Sequence, residues 1–384
     1  MLSLLFLIKD HQDLDHFSPL ITVLNKKYKI YIKLENTILE NDRRFKTISN
    51  NVEVLYSKNQ SKIINKLKSL LLKLNFTIKI LNFLQKKIKI NNFFKRILKS
   101  SFLIKNKIDI IFYDHRPAYE CPDIIKAKLL GISLISIPHG YNIFTEKIDF
   151  LETQKDRNIY NNYVVQTNFQ KKILIQLGIE ENKLIAIGSP RFNRNWIEKL
   201  DQIYKVKNFF DTSKPVISIF LGHWKYYIDK NRTLRFLENI ILSNIFNIFL
   251  NLHTRGTSPL DKAFLDKVKN RSNCIINNGQ IFSSITISQS DLIVGLGTSV
   301  LLEAITRKKV LIYLPFLQNV KTVFNHLDQN YIAQSEEDCL KKISIHLKNR
   351  NITSYEDFYQ KYIKDDIQIL ENLIQSKKKD GSYS

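Results

Sequence analysis

The sequence predicts an α/β protein of two doubly wound domains that face a central cleft. The chain has 384 residues, too long for one ordinary core and matched to two domains of roughly 150–200 residues. Short β-rich runs alternate with helical stretches, the pattern of a parallel sheet with crossover helices. The alternation pauses at a polar join near 204–214 and then resumes, which makes a second domain of the same kind.

The elements follow in order. Residues 2–8 form an almost wholly apolar run that is too short to span a membrane, has no basic lead or small-residue cleavage site, and passes straight into Lys9-Asp10-His11. The run reads as a first buried strand and not as a signal peptide. Further strands are expected at 29–34, 52–56, 108–113, 132–137, 163–166 and 184–187. Lys73, Asn75 and Lys79 interrupt the apolar interval 70–84, so no transmembrane helix is expected. The second series runs 216–221, 246–252, 274–276, 292–294 and 310–314. Apolar residues recur at helical spacing over 354–375, a stretch expected to pack back on the first domain ahead of a disordered tail at 377–384. The expected boundaries are therefore 1–208, 209–350 and a C-terminal helix over 351–376.

A hydrophobic content of 44% suffices for both cores. The formal net charge is +23, part of which reflects a lysine- and asparagine-rich composition of the kind an AT-rich genome imposes. Charge also clusters: residues 61–108 carry thirteen Lys or Arg and no Asp or Glu. Cys121, Cys274 and Cys339 are odd in number and lack metal-ligand spacing, which points to a reduced cytosolic compartment without a disulfide or zinc framework.

Open α/β sheets bind ligands beyond the carboxyl ends of their strands, so residues directly after strands carry the functional reading. Pro138-His139-Gly140 ends one strand, and His139 there can take a proton from a hydroxyl at neutral pH; a turn histidine bonded to backbone is the alternative. Gly188-Ser189-Pro190-Arg191 follows another, with Arg191 able to aim a guanidinium at a phosphate. In the second series Gly222-His223-Trp224 and His253-Thr254-Arg255 each follow a strand, and His253 with Arg255 suits a departing diphosphate. Ser290-Asp291 leads through a strand into Gly295-Leu296-Gly297, after which Thr298 and Ser299 are read as the start of a helix whose N–H groups grip a phosphate. Glu303 lies about one turn on, placed to accept from ribose hydroxyls. The third glycine of a dinucleotide fingerprint is missing, and there is no Walker loop.

In this order, Pro138-His139-Gly140, Gly188-Ser189-Pro190-Arg191, His253-Thr254-Arg255 and Ser290-Asp291 to Thr298-Ser299 to Glu303-Ala304 resemble the GT-B enzymes of capsule and teichoic acid synthesis. The likeness is to CDP-glycerol glycerophosphotransferase-like and capsular polysaccharide transferases, over residues 108–320. It implies a GT-B-like pair of Rossmann-like domains, with 1–208 on the acceptor side and 209–350 holding the nucleotide donor. By resemblance, His139 is the base on the acceptor, while His253, Arg255, Thr298 and Ser299 hold the donor diphosphate. Thr254 stands where that family has proline, and Gly295-Leu296-Gly297 where it has an Asp-Tyr pair. These departures weaken the case for a glycerol phosphate donor and favour a sugar on CMP, CDP or UDP.

Asp10, His11, Asp13, Asp15 and His16 cluster after the first strand, and Asp15 or Asp13 is placed to orient or deprotonate an acceptor; a solvated acidic loop is the alternative. Within 61–108, Leu70, Leu71, Leu74, Ile78, Leu81 and Leu84 fall at helical spacing among lysines, which suits an anionic membrane surface as well as an ordinary amphipathic helix. No nucleic-acid motif is present. The expectation is a cytoplasmic glycosyltransferase, peripheral to the inner face of the plasma membrane, passing a sugar to a saccharide or lipid-linked acceptor of a bacterial surface polysaccharide. It needs neither cofactor nor metal. A polyol-phosphate transferase, a UDP-sugar 2-epimerase and a non-catalytic assembly scaffold are the alternatives.

Overall fold

The computed structural model describes residues 1–56, 102–116, 121–138, 140–146, 158–204, 208–211, 213–253, 259–349 and 355–380, with the side chains of 378–380 excepted. His139, Thr254, Arg255 and most of the basic segment 61–108 lie outside the described residues.

Every strand expected from the sequence is present. The first sheet contains β1 (Ser3–Ile8), β2 (Lys29–Leu34), β3 (Glu53–Tyr56), β4 (Ile110–Asp114), β5 (Ser133–Ile137), β6 (Asn162–Val165) and β7 (Leu184–Ala186), in the order β3-β2-β1-β4-β5-β6-β7. The second contains β8 (Val216–Phe220), β9 (Asn247–Asn251), β10 (Cys274–Asn277), β11 (Leu292–Gly295) and β12 (Val310–Tyr313), in the order β10-β9-β8-β11-β12. All pairings in both sheets are parallel.

Parallel strands covered on both faces need apolar side chains at odd and even positions alike. β1 shows the division: Leu4, Phe6 and Ile8 enter one core with Leu14, Phe17 and Leu20, while Leu5 and Leu7 enter the other with Ile124, Ile173 and Leu174. Each fully buried Leu, Ile or Phe of this kind contributes about 1.5–3 kcal/mol.

Two compact units result: Met1–Gly140 with Asp149–Pro190 and Asp366–Ser384, and Tyr141–Ile148 with Arg191–Asp365. The second unit begins at Arg191 and not near residue 208. The helix Arg194–Ile203 buries Trp196, Ile197 and Leu200 beside Tyr204 and Phe282, and its Asp201 pairs with Arg307. Those partners all lie in the second unit.

The expected C-terminal helix is two helices. Glu356–Tyr362 belongs to the second unit and Ile367–Asp380 to the first. Between them the Asp366 N–H donates to the Ile187 carbonyl at 2.7 Å, a bond incompatible with one continuous helix. The later helix buries Leu370 and Ile374 in the first core and runs through Asp380, past the Lys377 at which a disordered tail was expected. No helix among the described residues is long and apolar enough to cross a membrane.

Candidate functional site

In each sheet the strand order reverses beside the first strand of its unit, between β8 and β11 in the second and between β1 and β4 in the first. Such switch points, at the carboxyl ends of the strands, are where doubly wound sheets take ligands. Candidate residues therefore fall into two groups, one in each unit.

In the second unit β8 leads into Leu221-Gly222-His223 and β11 into Leu296-Gly297-Thr298-Ser299, while His253 follows β9. The His223 and His253 rings lie 5.6 Å apart between centroids, and the Tyr226 ring lies 5.0 Å from His223. The Lys225 N–H donates to His223 Nδ1 at 3.2 Å. A neutral His223 accepting there carries its proton on Nε2.

The glycines of this region are filled by protein. A Cβ on Gly295 collides with the Leu301 side chain, one on Gly297 with the Gln318 amide, and one on Gly222 comes within 2.9 Å of the Gly297 carbonyl oxygen. The Gly297 N–H donates to Gln318 Oε1 at 2.9 Å. These glycines let two loops pack against each other, where the sequence reading gave Gly297 a direct ligand contact.

The helix expected to start at Thr298 is Leu301–Thr306, six residues long, with Val300 at its N-cap and no side-chain cap. Thr298 and Ser299 lie in the turn before it, half-buried. Few peptide dipoles sum over so short a helix. Glu303 is 2% exposed, and its Oε1 accepts from Arg307 Nε at 2.9 Å; Arg307 Nη1 in turn donates to both Asp201 oxygens at 2.7 and 2.8 Å. One oxygen of the carboxylate proposed for ribose is thus committed to an internal ion pair.

Gly188 adopts φ +79°, in the left-handed region that glycine tolerates, and turns the chain from β7 into Pro190. The Arg191 guanidinium lies over the Phe192 ring, 5.2 Å from its centroid.

In the first unit Asp10 caps the helix His11–Leu24, and Asp13 closes the capping box from inside it, accepting from the Lys9 and Asp10 N–H groups at 2.7 and 3.1 Å. Arg116, two residues beyond β4, reaches Asp10 at 2.5 Å, Asp114 at 2.6 Å and Asp13 at 3.4 Å. The Asp13 and Asp114 side chains are fully enclosed, at 0% and 1% exposure. Burial pushes the Asp13 carboxyl up to about 7, the negative charges of Asp114 and Asp10 add to this, and Arg116 opposes it.

Asp15, offered together with Asp13 by the sequence, faces the opposite way on its helix and pairs with Arg44, which also holds Asp42. Sequence reasoning passed over Asp114, His115 and Arg116. Their signal was present, since they are charged residues directly after an expected strand. Among the described residues no group of three or more His, Cys, Asp or Glu is arranged to hold a metal.

No protein-family model matches the chain, and no curated protein matches it by sequence. Solved structures do match over nearly its whole length. UDP-GlcNAc 2-epimerase from Neisseria meningitidis bound to UDP-GlcNAc has a TM-score of 0.60 at 13% identity, covering 97% of this chain and 100% of that one. A putative UDP-N-acetylglucosamine 2-epimerase from Listeria monocytogenes has a TM-score of 0.63 at 10% identity, covering 100% and 98%. Anabaena HepE in complex with UDP and glucose has a TM-score of 0.59 at 13% identity, covering 98% and 99%.

The chain has a GT-B-like fold. At these identities the likeness concerns the path of the backbone, and the expected pair of Rossmann-like parallel-sheet domains is the part of the sequence reading it bears on. The GT-B-like architecture accommodates both epimerases and transferases, so the reaction has to be argued separately.

Proposed function

We propose that the chain is an enzyme acting on a nucleoside-diphosphate sugar and that its reaction is 2-epimerisation of a UDP-sugar. The observation that carries the substrate class is the switch point of the second unit, where His223, His253, Thr298 and Ser299 gather at the ends of β8, β9 and β11. Imidazole N–H groups and hydroxyls are donors suited to phosphate oxygens. Two of the similar folds are described as UDP-GlcNAc 2-epimerases, one of them bound to that sugar nucleotide, which favours epimerisation over the transfer expected from sequence.

Transfer of the sugar to a hydroxyl acceptor is the second reading, favoured by the motif series from Pro138-His139-Gly140 to Glu303. Acceptor dependence separates the two. Purified protein incubated in D2O with UDP-GlcNAc and no acceptor is expected to yield the 2-epimer with deuterium at C2, read by proton NMR. Absence of both product and exchange, with UDP released only when a saccharide acceptor is added, would establish transfer instead.

A further inference from the structure

We infer that Gln318 is a positioning residue for the nucleotide site, clasping the two loops that flank the switch point of the second unit; this rests on the reading of that site as nucleotide-binding. Gln318 lies just beyond Pro315–Leu317 after β12 and is 6% exposed. Its Oε1 accepts from the Gly297 N–H at 2.9 Å, in the loop after β11. Its Nε2 donates to the Tyr226 carbonyl at 3.4 Å, in the loop after β8. One primary amide therefore holds both walls of the crevice, using its acceptor on one and its donor on the other.

Backbone contacts around it keep the amide in place. The Asp229 N–H donates to the Leu317 carbonyl and the Asn319 N–H to the Tyr227 carbonyl, each at 2.9 Å, and Ile228 bridges to Gln318 in antiparallel sense. Gly222 and Gly297 meet at their backbones directly beneath, where neither can gain a Cβ without displacing the other loop or the amide itself. His223 lies on one clasped loop, and Thr298 and Ser299 lie on the other. The distance between these donors, and so their fit to one diphosphate, is set by an amide that need not touch the ligand.

The role calls for a side chain of this length with a donor and an acceptor at its tip. Methionine matches the length and bulk but offers neither N–H nor carbonyl oxygen. Glutamate keeps the acceptor for Gly297 and, when ionised, turns a repelling oxygen toward the Tyr226 carbonyl.

The test measures UDP affinity by calorimetry at 10 °C for the wild-type chain, Gln318→Met and Gln318→Glu, with far-UV circular dichroism confirming that each is folded at that temperature. Wild-type protein is expected to bind UDP, and both variants are expected to bind about tenfold or more weakly while folded. A residue that only stabilises the unit would lower the melting temperature and leave the affinity of the folded protein unchanged. Equal affinity for wild type and a folded variant therefore overturns the clasp, even with a lowered melting temperature. Failure of wild-type protein to bind UDP overturns the nucleotide reading itself. Should Gln318→Met not fold, Gln318→Glu decides the question by the same criterion.

Discussion

Asp13 is enclosed by the first sheet's carboxyl end with Asp114 and Asp10 nearby, and its charge is favoured by Arg116 and by the Lys9 N–H. Burial first, then its acidic neighbours, raise it to about 7, against about 3.9 in an unfolded chain. Between those values the folded state holds a proton that the unfolded state has released. Its contribution to stability is therefore full below about pH 4 and is lost as pH rises through 7, by at most about 1.4 kcal/mol per pH unit. Asp42 behaves in the opposite sense. Burial would raise it, but the hydrogen bond and charge of Arg44, with help from His11, lower it to about 2. Its stabilisation is present above about pH 4 and is lost as pH falls toward 2. Asp13→Asn keeps an acceptor for the Lys9 and Asp10 amides while removing the titration. Urea midpoints between pH 4 and 7 are expected to decline less steeply in this variant than in wild type, and parallel profiles would rule out the raised carboxyl.

Among the elements, the helix Ile367–Asp380 shows how a short apolar stripe overrides a polar surrounding sequence. Leu370 and Ile374 enter the core of the first unit, with Ile367 and Leu373 packed beside them. At the margin Lys27 reaches Glu371 at 2.7 Å and Gln375 bonds the Tyr28 hydroxyl at 2.9 Å. Lys27 is too exposed for that pair to add much, so the helix is held chiefly by its buried leucine and isoleucine. Leu370→Ala is expected to cost about 2–5 kcal/mol in equilibrium unfolding, the range for emptying a fully buried leucine site. A loss under about 1 kcal/mol would show that the helix does not dock as described. The six-residue helix Leu301–Thr306 gives the contrasting case, because burial of all its residues leaves it anchored but too short to act as a strong dipole.

At the scale of the molecule, each unit repeats one device: a parallel sheet whose order reverses beside its first strand, with charged or polar side chains gathered where it reverses. The first unit gathers carboxylates around one arginine, and the second gathers imidazoles and hydroxyls. A nucleotide phosphate is expected to be accepted by the second set and refused by the first. UDP at about a hundredfold excess over its Kd stabilises the form it binds by about 2.7 kcal/mol. Hydrogen exchange is expected to show that protection over residues 216–223 and 292–300, with residues 3–8 and 110–116 little changed. Protection confined to the first unit would reverse the assignment.

The strands were legible in the sequence because their signal is local: apolar β-branched and aromatic runs, such as those around Ile110 and Val216, are bounded by polar turns whatever lies far away. The placing of His223, His253 and Thr298 after strands followed from the same periodicity. Other features depend on residues far apart in the chain. Arg116 meets Asp10 across 106 positions, Arg307 meets Asp201 across 106, and Gln318 meets Tyr226 across 92. No local pattern announces such pairs, since they form only when sheet order and packing bring loops together. For the same reason Glu303, Gly297 and Asp15 each looked suited to a ligand while the folded chain supplies partners of its own. Spacing along the chain thus specified the strands and the positions after them, and burial with charge pairing selected which of those positions can meet a substrate.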